Sequence, residues 1–178
     1  KQKVIIFLKY KFINVIGMMT GTSLDGIDIS LIKTNGEKIF RSNKNFYYKY
    51  DNKIKDYFLE TINGYQILTE EKKIFLENLI TNEHIKALES LDIIKDCDLI
   101  GFHGQTIYHN SSTQKSIQLG KPSALANKFK KDIIFDFRSK DMKLGGEGAP
   151  LAPIYHKCII ENLKLQKPAC IINIGGVA

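Results

Sequence analysis

The pattern of apolar and polar positions predicts three consecutive strands in the first fifty residues. Residues 12–18 and 27–32 are short apolar runs rich in β-branched side chains, which is typical of strands. Residues 38–50 form a third extended segment. Because so few residues separate the first two runs, the pattern predicts a tight strand-turn-strand hairpin between them.

From residue 52 onward, helical patterns alternate with short strands. Residues 52–62 predict a helix, and Thr69 is a good N-cap for a long helix that ends near residue 91, with Glu70 and Glu71 in its first turn. The later predicted elements are strands 98–103 and 117–119, helix 122–129, strand 132–137, helix 153–163 and strand 169–174. This alternation indicates an α/β fold whose sheet contains parallel strands.

The loop of the first hairpin combines groups that suit a phosphate. Residues 19–28 read Met-Thr-Gly-Thr-Ser-Leu-Asp-Gly-Ile-Asp. Gly21 and Gly26 allow the backbone to approach a ligand closely or to take a positive φ. The loop amides can form an anion-binding concavity. Hydroxyl groups come from Thr20, Thr22 and Ser23.

Two carboxylates extend this hypothesis to a metal ion. Asp25 and Asp28 offer the oxygen ligands that a hydrated magnesium ion prefers. The familiar phosphate loop ends in Gly-Lys-Ser/Thr and leads into a helix, whereas here no lysine follows the glycines and a strand comes next. The alternative is an ordinary hairpin turn, in which Gly, Asp and Ser are common residues.

Six sequence blocks in order resemble the anhydro-N-acetylmuramic acid kinase family. They are the hairpin, residues 101–109 (Gly-Phe-His-Gly-Gln-Thr-Ile-Tyr-His), 118–120 (Gln-Leu-Gly), 136–141 (Asp-Phe-Arg-Ser-Lys-Asp), 145–150 (Gly-Gly-Glu-Gly-Ala-Pro) and 173–176 (Asn-Ile-Gly-Gly). The resemblance covers residues 13–178 and implies the N-terminal lobe of an actin-like ATPase, a ribonuclease H-like two-lobed kinase fold with a mixed sheet flanked by helices. Residues 1–12 precede it as an N-terminal extension or an early start site.

The resemblance implies a sugar kinase of peptidoglycan recycling and amino-sugar metabolism. Such enzymes use ATP, Mg²⁺ and water to open the 1,6-anhydro ring of anhydro-N-acetylmuramic acid and to phosphorylate its oxygen 6. The expected product is N-acetylmuramic acid 6-phosphate. In such phosphoryl transfers the protein acts mainly by positioning and by stabilising charge. The resemblance also implies a homodimer for the full-length protein.

Site residues follow from the matching blocks. The hairpin is expected to bind ATP through Gly21, Thr22, Ser23, Leu24, Asp25, Gly26, Ile27 and Asp28, with Asp25 as the metal ligand. The expected sugar ligands are His103, Gln105, Arg138 and Gly148. His103 and Gln105 follow a predicted strand end, where ligands collect in open α/β sheets, and fall on one face of an extended segment. A turn held by its own side chains is the alternative for that block.

Arg138 is one of only two arginines and is expected to bind the lactyl carboxylate of the sugar through its planar fork. A salt bridge to Asp136 or Asp141 is the alternative. No catalytic residue is expected within the chain, because the family's general-base aspartate belongs to a block expected beyond Ala178. An inactive truncated remnant that lacks this base is therefore the alternative to an active kinase.

Two residues depart from the family pattern. Thr20 stands where Ser is usual and keeps a hydroxyl group. Glu147 stands where Gln is usual, which adds a negative charge and removes an amide donor from the glycine loop.

The net charge of +7 raises the alternative of a nucleic-acid-binding domain, which would bind DNA with a steep salt dependence. We discount it because nearly all of the positive charge is lysine spread along the chain, whereas base readers and phosphate clamps favour arginine. Three cysteines without a close pair fit a reducing cytoplasm. No apolar run approaches the roughly 18 residues that a membrane span needs, so no membrane partner is expected.

Overall fold

The computed structural model describes residues 11–64, 68–166 and 168–172 and shows a six-stranded mixed sheet flanked by helices. The strands are β1 (Ile13–Thr20), β2 (Gly26–Thr34), β3 (Ile39–Lys49), β4 (Leu99–Asn110), β5 (Lys115–Leu119) and β6 (Asp132–Ile134). Their order is β3-β2-β1-β4-β5, with β6 also paired to β4. Strands β1 to β3 are antiparallel, whereas β1–β4 and β4–β6 are parallel. The predicted α/β class is therefore confirmed.

Five α-helices and one 3₁₀ turn complete the described chain. They are α1 (Asn52–Asn63), α2 (Glu70–Glu89), the 3₁₀ turn Ile94–Asp96, α3 (Pro122–Phe129), α4 (Ser139–Lys143) and α5 (Pro153–Asn162). Asp51 caps α1 by accepting from the Lys53 amide, and Thr69 caps α2 by accepting from the Lys72 amide. These local signals explain why both helices begin where the sequence predicted. No described helix is both long enough and apolar enough to pass through a bilayer.

The core forms where helices α1, α2 and α3 cover the sheet. Ile16, Ile27 and Ile100 from the central strands are fully buried. They belong to one cluster with the buried Phe58 of α1 and Ile80 of α2. Alternating burial along β1 and β2 explains why these segments read as strands, because only every second side chain enters the core.

Strand β4 is longer than predicted. The expected strand ended at residue 103, but β4 continues to Asn110 and includes His103 and Gln105. Gly104 has a φ of 71°, and the pairing between β1 and β4 shifts register at this point. The alternation of buried and more exposed residues along β4 shifts by one position at Gly104, so Gln105 is fully buried while His103 is half-buried. The prediction that both side chains share one face is therefore wrong, because a bulge interrupts the alternation.

Strand β6 is shorter than predicted, and the last predicted strand is not seen in the described residues. β6 ends at Ile134 instead of residue 137, since Asp136 takes a φ of 55° and starts the turn into α4. Helix α4 was not predicted. Residues 169–172 are not in a strand, and residues 173–178, with the Asn-Ile-Gly-Gly block, lie outside the described residues. Residues 1–10 of the predicted extension lie outside them as well.

Gly26 allows β3 to pack closely against the end of the hairpin. A Cβ atom at this position would overlap the Tyr48 carbonyl oxygen and lie 2.7 Å from the Tyr47 ring. We expect Gly26→Ala to lower the free energy of unfolding by about 2 kcal/mol, as overpacking does. Gly17→Ala is the matched control, because a Cβ atom there has no neighbour within 4 Å; it should be neutral or stabilising by about 0.5 kcal/mol. Urea unfolding of both variants measures the difference, and equal stabilities would contradict the packing argument.

Candidate functional site

The hairpin loop between β1 and β2 is held by its backbone and by one buried side chain. Leu24 is fully buried, takes a φ of 55° and donates its amide to the Gly21 carbonyl at 3.3 Å. The Tyr50 amide donates to the Asp25 carbonyl at 2.9 Å. The buried Leu24 side chain therefore anchors the loop in the core, while the side chains of Thr22 and Ser23 are exposed to solvent.

Of the two predicted uses of glycine in this loop, the positive φ is not found. Neither Gly21 nor Gly26 is among the residues with positive φ; the left-handed position in the loop belongs to Leu24. Gly26 allows the close approach of β3. The side chains of Leu24 and Ile27 are fully buried, so only their backbone groups are available to a ligand.

Two exposed carboxylates lie at the open side of the hairpin. Ser23 Oγ donates to Asp25 Oδ1 at 2.5 Å, and this hydrogen bond is the main reason why the pKa of Asp25 is lowered. The pKa of the Tyr47 hydroxyl is raised, first by desolvation and then by the charges of Asp25 and Asp28, which shows that both carboxylates lie near it. Within the described ranges, no group of three or more acidic, histidine or cysteine residues could hold a metal ion. An exposed carboxylate pair suits a magnesium ion that keeps most of its waters.

A second group of polar residues assembles around Arg138, where the chain leaves β6. Arg138 donates from Nη1 to the Gly148 carbonyl at 3.1 Å. Its Nε and Nη2 atoms lie 3.3 and 3.1 Å from Nε2 of His103. The structure thus joins three of the four predicted sugar ligands, His103, Arg138 and Gly148. Burial lowers the pKa of Arg138, whose side chain is only partly exposed.

The predicted salt-bridge alternative for Arg138 is not found. Among the described residues, the ion pairs do not include Arg138. Asp136 Oδ1 instead accepts from the Ser139 amide and hydroxyl, at 3.3 and 2.5 Å, at the start of α4. Asp141 Oδ2 accepts from the Gly148 amide at 2.8 Å. The guanidinium therefore lies in a partly buried site where no carboxylate of the described residues forms an ion pair with it.

Gln105 belongs to the hairpin and not to the Arg138 group. Its Nε2 donates to the Gly21 carbonyl at 3.3 Å and to the Thr106 carbonyl at 3.1 Å. Its buried Oε1 has no hydrogen-bond partner among the described residues. A glycine inside a strand is a signal for a bulge, so His103-Gly104-Gln105 carried the information needed to separate the two side chains.

A cavity of about 320 Å³ opens beside His103. Lys73 and Glu77 of α2 form one wall, and Phe135 and Asp136 lie at another. The cavity is also lined by Phe102, Ser116, Ile117, Gln118, Leu119, Gly120, Pro122 and Ser139. Lys73 and Glu77 were not predicted as site residues. Polar residues four apart on a long helix are also typical of its solvent-exposed face, so the sequence does not distinguish the two cases.

Comparison with known proteins matches this chain to one family. The family model described as anhydro-N-acetylmuramic acid kinase matches residues 13–178. The chain belongs to this family. The anhydro-N-acetylmuramic acid kinase of Pelagibacter ubique is 41% identical over 177 residues, which cover 94% of this chain and 47% of that protein. Proteins of the same name from Acidiphilium cryptum and Nitrobacter winogradskyi are each 35% identical; they match 93% and 92% of this chain and 46% and 47% of their own lengths.

The chain spans about half the length of the curated anhydro-N-acetylmuramic acid kinases it matches. The mixed sheet is consistent with the N-terminal lobe of an actin-like kinase. Thr20, one of the two departures from the family pattern, keeps a structural hydroxyl: it is buried and donates to the Gly104 carbonyl at 2.9 Å. Glu147, the other, is exposed on the glycine loop.

Proposed function

We propose that this chain is the N-terminal lobe of an ATP-dependent kinase that acts on 1,6-anhydro-N-acetylmuramic acid. In the proposed reaction, water adds to the anomeric carbon, the bond between that carbon and oxygen 6 breaks, and oxygen 6 takes the γ-phosphoryl group of ATP. The products are N-acetylmuramic acid 6-phosphate and ADP. A homodimeric full-length protein in the cytoplasm is part of the same proposal.

One observation carries this proposal: strand β4 connects a hairpin that suits a nucleotide to a partly buried cation that suits a carboxylate. On the hairpin side, the Thr20 hydroxyl donates a hydrogen bond to the Gly104 carbonyl, and the Gln105 amide donates one to the Gly21 carbonyl. On the other side, His103 contacts Arg138. Residues 103–105 therefore join the two halves of the site, and a transfer between two bound substrates requires that both be positioned.

The hairpin is assigned to ATP and its magnesium ion. Asp25 and Asp28 would hold the ion, and Thr22, Ser23 and the backbone amides of residues 21–28 would bind phosphate oxygens. A magnesium ion at this place would supply charge neutralisation for the phosphoryl group. Hydrogen bonding by Ser23 keeps Asp25 ionised, so that its oxygens act as acceptors only.

The group around Arg138 is assigned to the sugar. The substrate carries a lactyl carboxylate, and a partly buried guanidinium that has no acidic partner among the residues the structure describes is the complementary group. The Gly148 loop would contact the sugar beside Arg138, whereas the fully buried Gln105 would hold the hairpin loop through the Gly21 carbonyl. We assign no catalytic base to the described residues, since Asp136 and Asp141 already accept hydrogen bonds that order α4 and the glycine loop.

A coupled assay of ADP release by the full-length protein tests this function. We expect turnover that needs ATP, Mg²⁺ and 1,6-anhydro-N-acetylmuramic acid together, and much weaker turnover with 1,6-anhydro-N-acetylglucosamine, which lacks the lactyl carboxylate. No ADP release with either sugar would overturn the proposal and favour the inactive remnant. Equal turnover of both sugars would support a kinase but would contradict the assignment of Arg138 to the lactyl carboxylate.

A further inference from the structure

His103 contacts its neighbours through both ring nitrogens, and the chemistry of those neighbours determines where its proton lies. Nδ1 is 2.9 Å from the Gly104 carbonyl, which can only accept, so Nδ1 carries the hydrogen. Nε2 faces Nε and Nη2 of Arg138, which can only donate, so Nε2 carries a lone pair. The ring is therefore a neutral imidazole in one defined tautomer.

All the hydrogen-bond partners of Arg138 among the described residues are neutral groups. Of its five N–H donors, three point to the His103 ring and the Gly148 carbonyl. Within the described ranges two donors remain, one on each Nη atom, and a carboxylate accepts two donors in a bidentate contact. Because imidazole and carbonyl acceptors carry no charge, they orient the guanidinium without neutralising it.

We propose that His103 is a positioning residue that aims the two free donors of Arg138 at the substrate carboxylate, and that protonation of His103 switches this anion site off. The proposal rests on the proposed function of the Arg138 group. A protonated ring would present an N–H where Arg138 needs an acceptor, and it would add a second positive charge beside the guanidinium. Arg138 would then lose its orientation.

The charges around His103 set the direction of its titration. Burial lowers the pKa of His103 and the charge of Arg138 lowers it further, while the bond to Gly104 acts in the opposite sense. From α2, His84 faces the same region behind Phe102, but burial lowers its pKa to about 4 and it stays neutral near neutral pH. Among the described residues, the other charged groups that line the adjoining cavity are Lys73 and Glu77 of α2 and Asp136 after β6, and the β5 residues that line it are uncharged. Anion binding should thus persist above the lowered pKa and be lost as the pH falls through it.

Nitrogen-15 NMR of the histidine side chains in the full-length protein tests the geometry without any ligand. We expect His103 to show a protonated Nδ1, an unprotonated Nε2 and a pKa lowered from the usual histidine value. Arg138→Gln should raise that pKa, because it removes the neighbouring charge. A protonated Nε2 in the neutral ring, or a His103 pKa that Arg138→Gln leaves unchanged, would overturn the proposal even if the protein proves to be an active kinase.

Binding of 1,6-anhydro-N-acetylmuramic acid between pH 7.5 and 5 then tests the switch. His103→Phe should raise Kd about 10-fold at pH 7.5 and raise KM more than it lowers kcat, because an oriented charged hydrogen bond is lost. His103→Gln keeps an acceptor that does not titrate, so it should restore affinity and flatten the pH profile. His109→Gln is the matched control on the same strand and should keep the wild-type profile.

Two results separate this inference from the proposed function. If the wild-type protein binds no anhydro sugar while the NMR signature is found, the substrate assignment fails and the oriented Arg138 stands. If the sugar binds but His103→Gln keeps the full pH dependence of the wild type, the switch is overturned and the substrate assignment stands. Equal melting temperatures of the variants at pH 7.5 show that the changes in Kd do not arise from unfolding.

Discussion

Asp25→Asn is expected to lower kcat/KM for phosphoryl transfer by about 10²-fold, the size of loss seen when one preorganised electrostatic group is removed. The substitution keeps the shape of the side chain and an acceptor for Ser23, but it removes the negative charge that a magnesium ion would need. The pKa of Asp25 is lowered, mainly by the Ser23 hydrogen bond, so the wild-type side chain is ionised at neutral pH and the whole charge is lost in the variant.

Raising the concentration of Mg²⁺ should partly rescue Asp25→Asn, because the remaining carboxylate, Asp28, is exposed beside the same loop. Steady-state kinetics over a range of Mg²⁺ concentrations measure this effect. Asp56→Asn is the matched control, since Asp56 is exposed on α1. A variant with wild-type activity and an unchanged Mg²⁺ requirement would remove Asp25 from the metal site.

Arg138→Gln is expected to lower kcat/KM for 1,6-anhydro-N-acetylmuramic acid by about 30-fold, the loss that follows when a charged hydrogen-bond partner is removed. The guanidinium has no acidic partner in the described part of the chain, so no internal ion pair competes with the substrate for it. Arg138→Lys should recover little of the activity, because lysine keeps the charge but not the planar fork.

The substrate analogue identifies the contact. 1,6-Anhydro-N-acetylglucosamine lacks the carboxylate, and the wild type should turn it over slowly. With this sugar, Arg138→Gln should have almost the same kcat/KM as the wild type, because neither protein can form the contact with a carboxylate. Arg41→Gln is the matched control, since Arg41 is the other arginine of the chain and lies exposed on β3. An equal loss with both sugars would assign Arg138 to something other than the carboxylate.

Much of the fold could be read from local signals. The caps at Asp51 and Thr69 and the β-branched runs of the first hairpin act within a few residues, so their information lies in short segments of sequence. His103 and Arg138 were both predicted to bind the sugar, and the structure shows why they meet: β6 pairs in parallel with residues 99–101 of β4 and ends beside the next residues of that strand. The local pattern did not predict the direction of the Gln105 side chain. That direction depends on the pairing of β4 with β1, whose register shifts at Gly104.

By itself, the sequence determined the α/β class, the hairpin with its hydroxyls and carboxylates, and the family, since these depend on residue identity and spacing along the chain. Only the tertiary structure decided which groups meet. In the folded chain Gln105 donates to the hairpin, and Asp136 and Asp141 accept from backbone amides. Arg138 lies beside the His103 imidazole. The reason is physical: hydrogen bonds and burial depend on distances between residues that lie far apart in sequence, and packing of the whole sheet sets those distances.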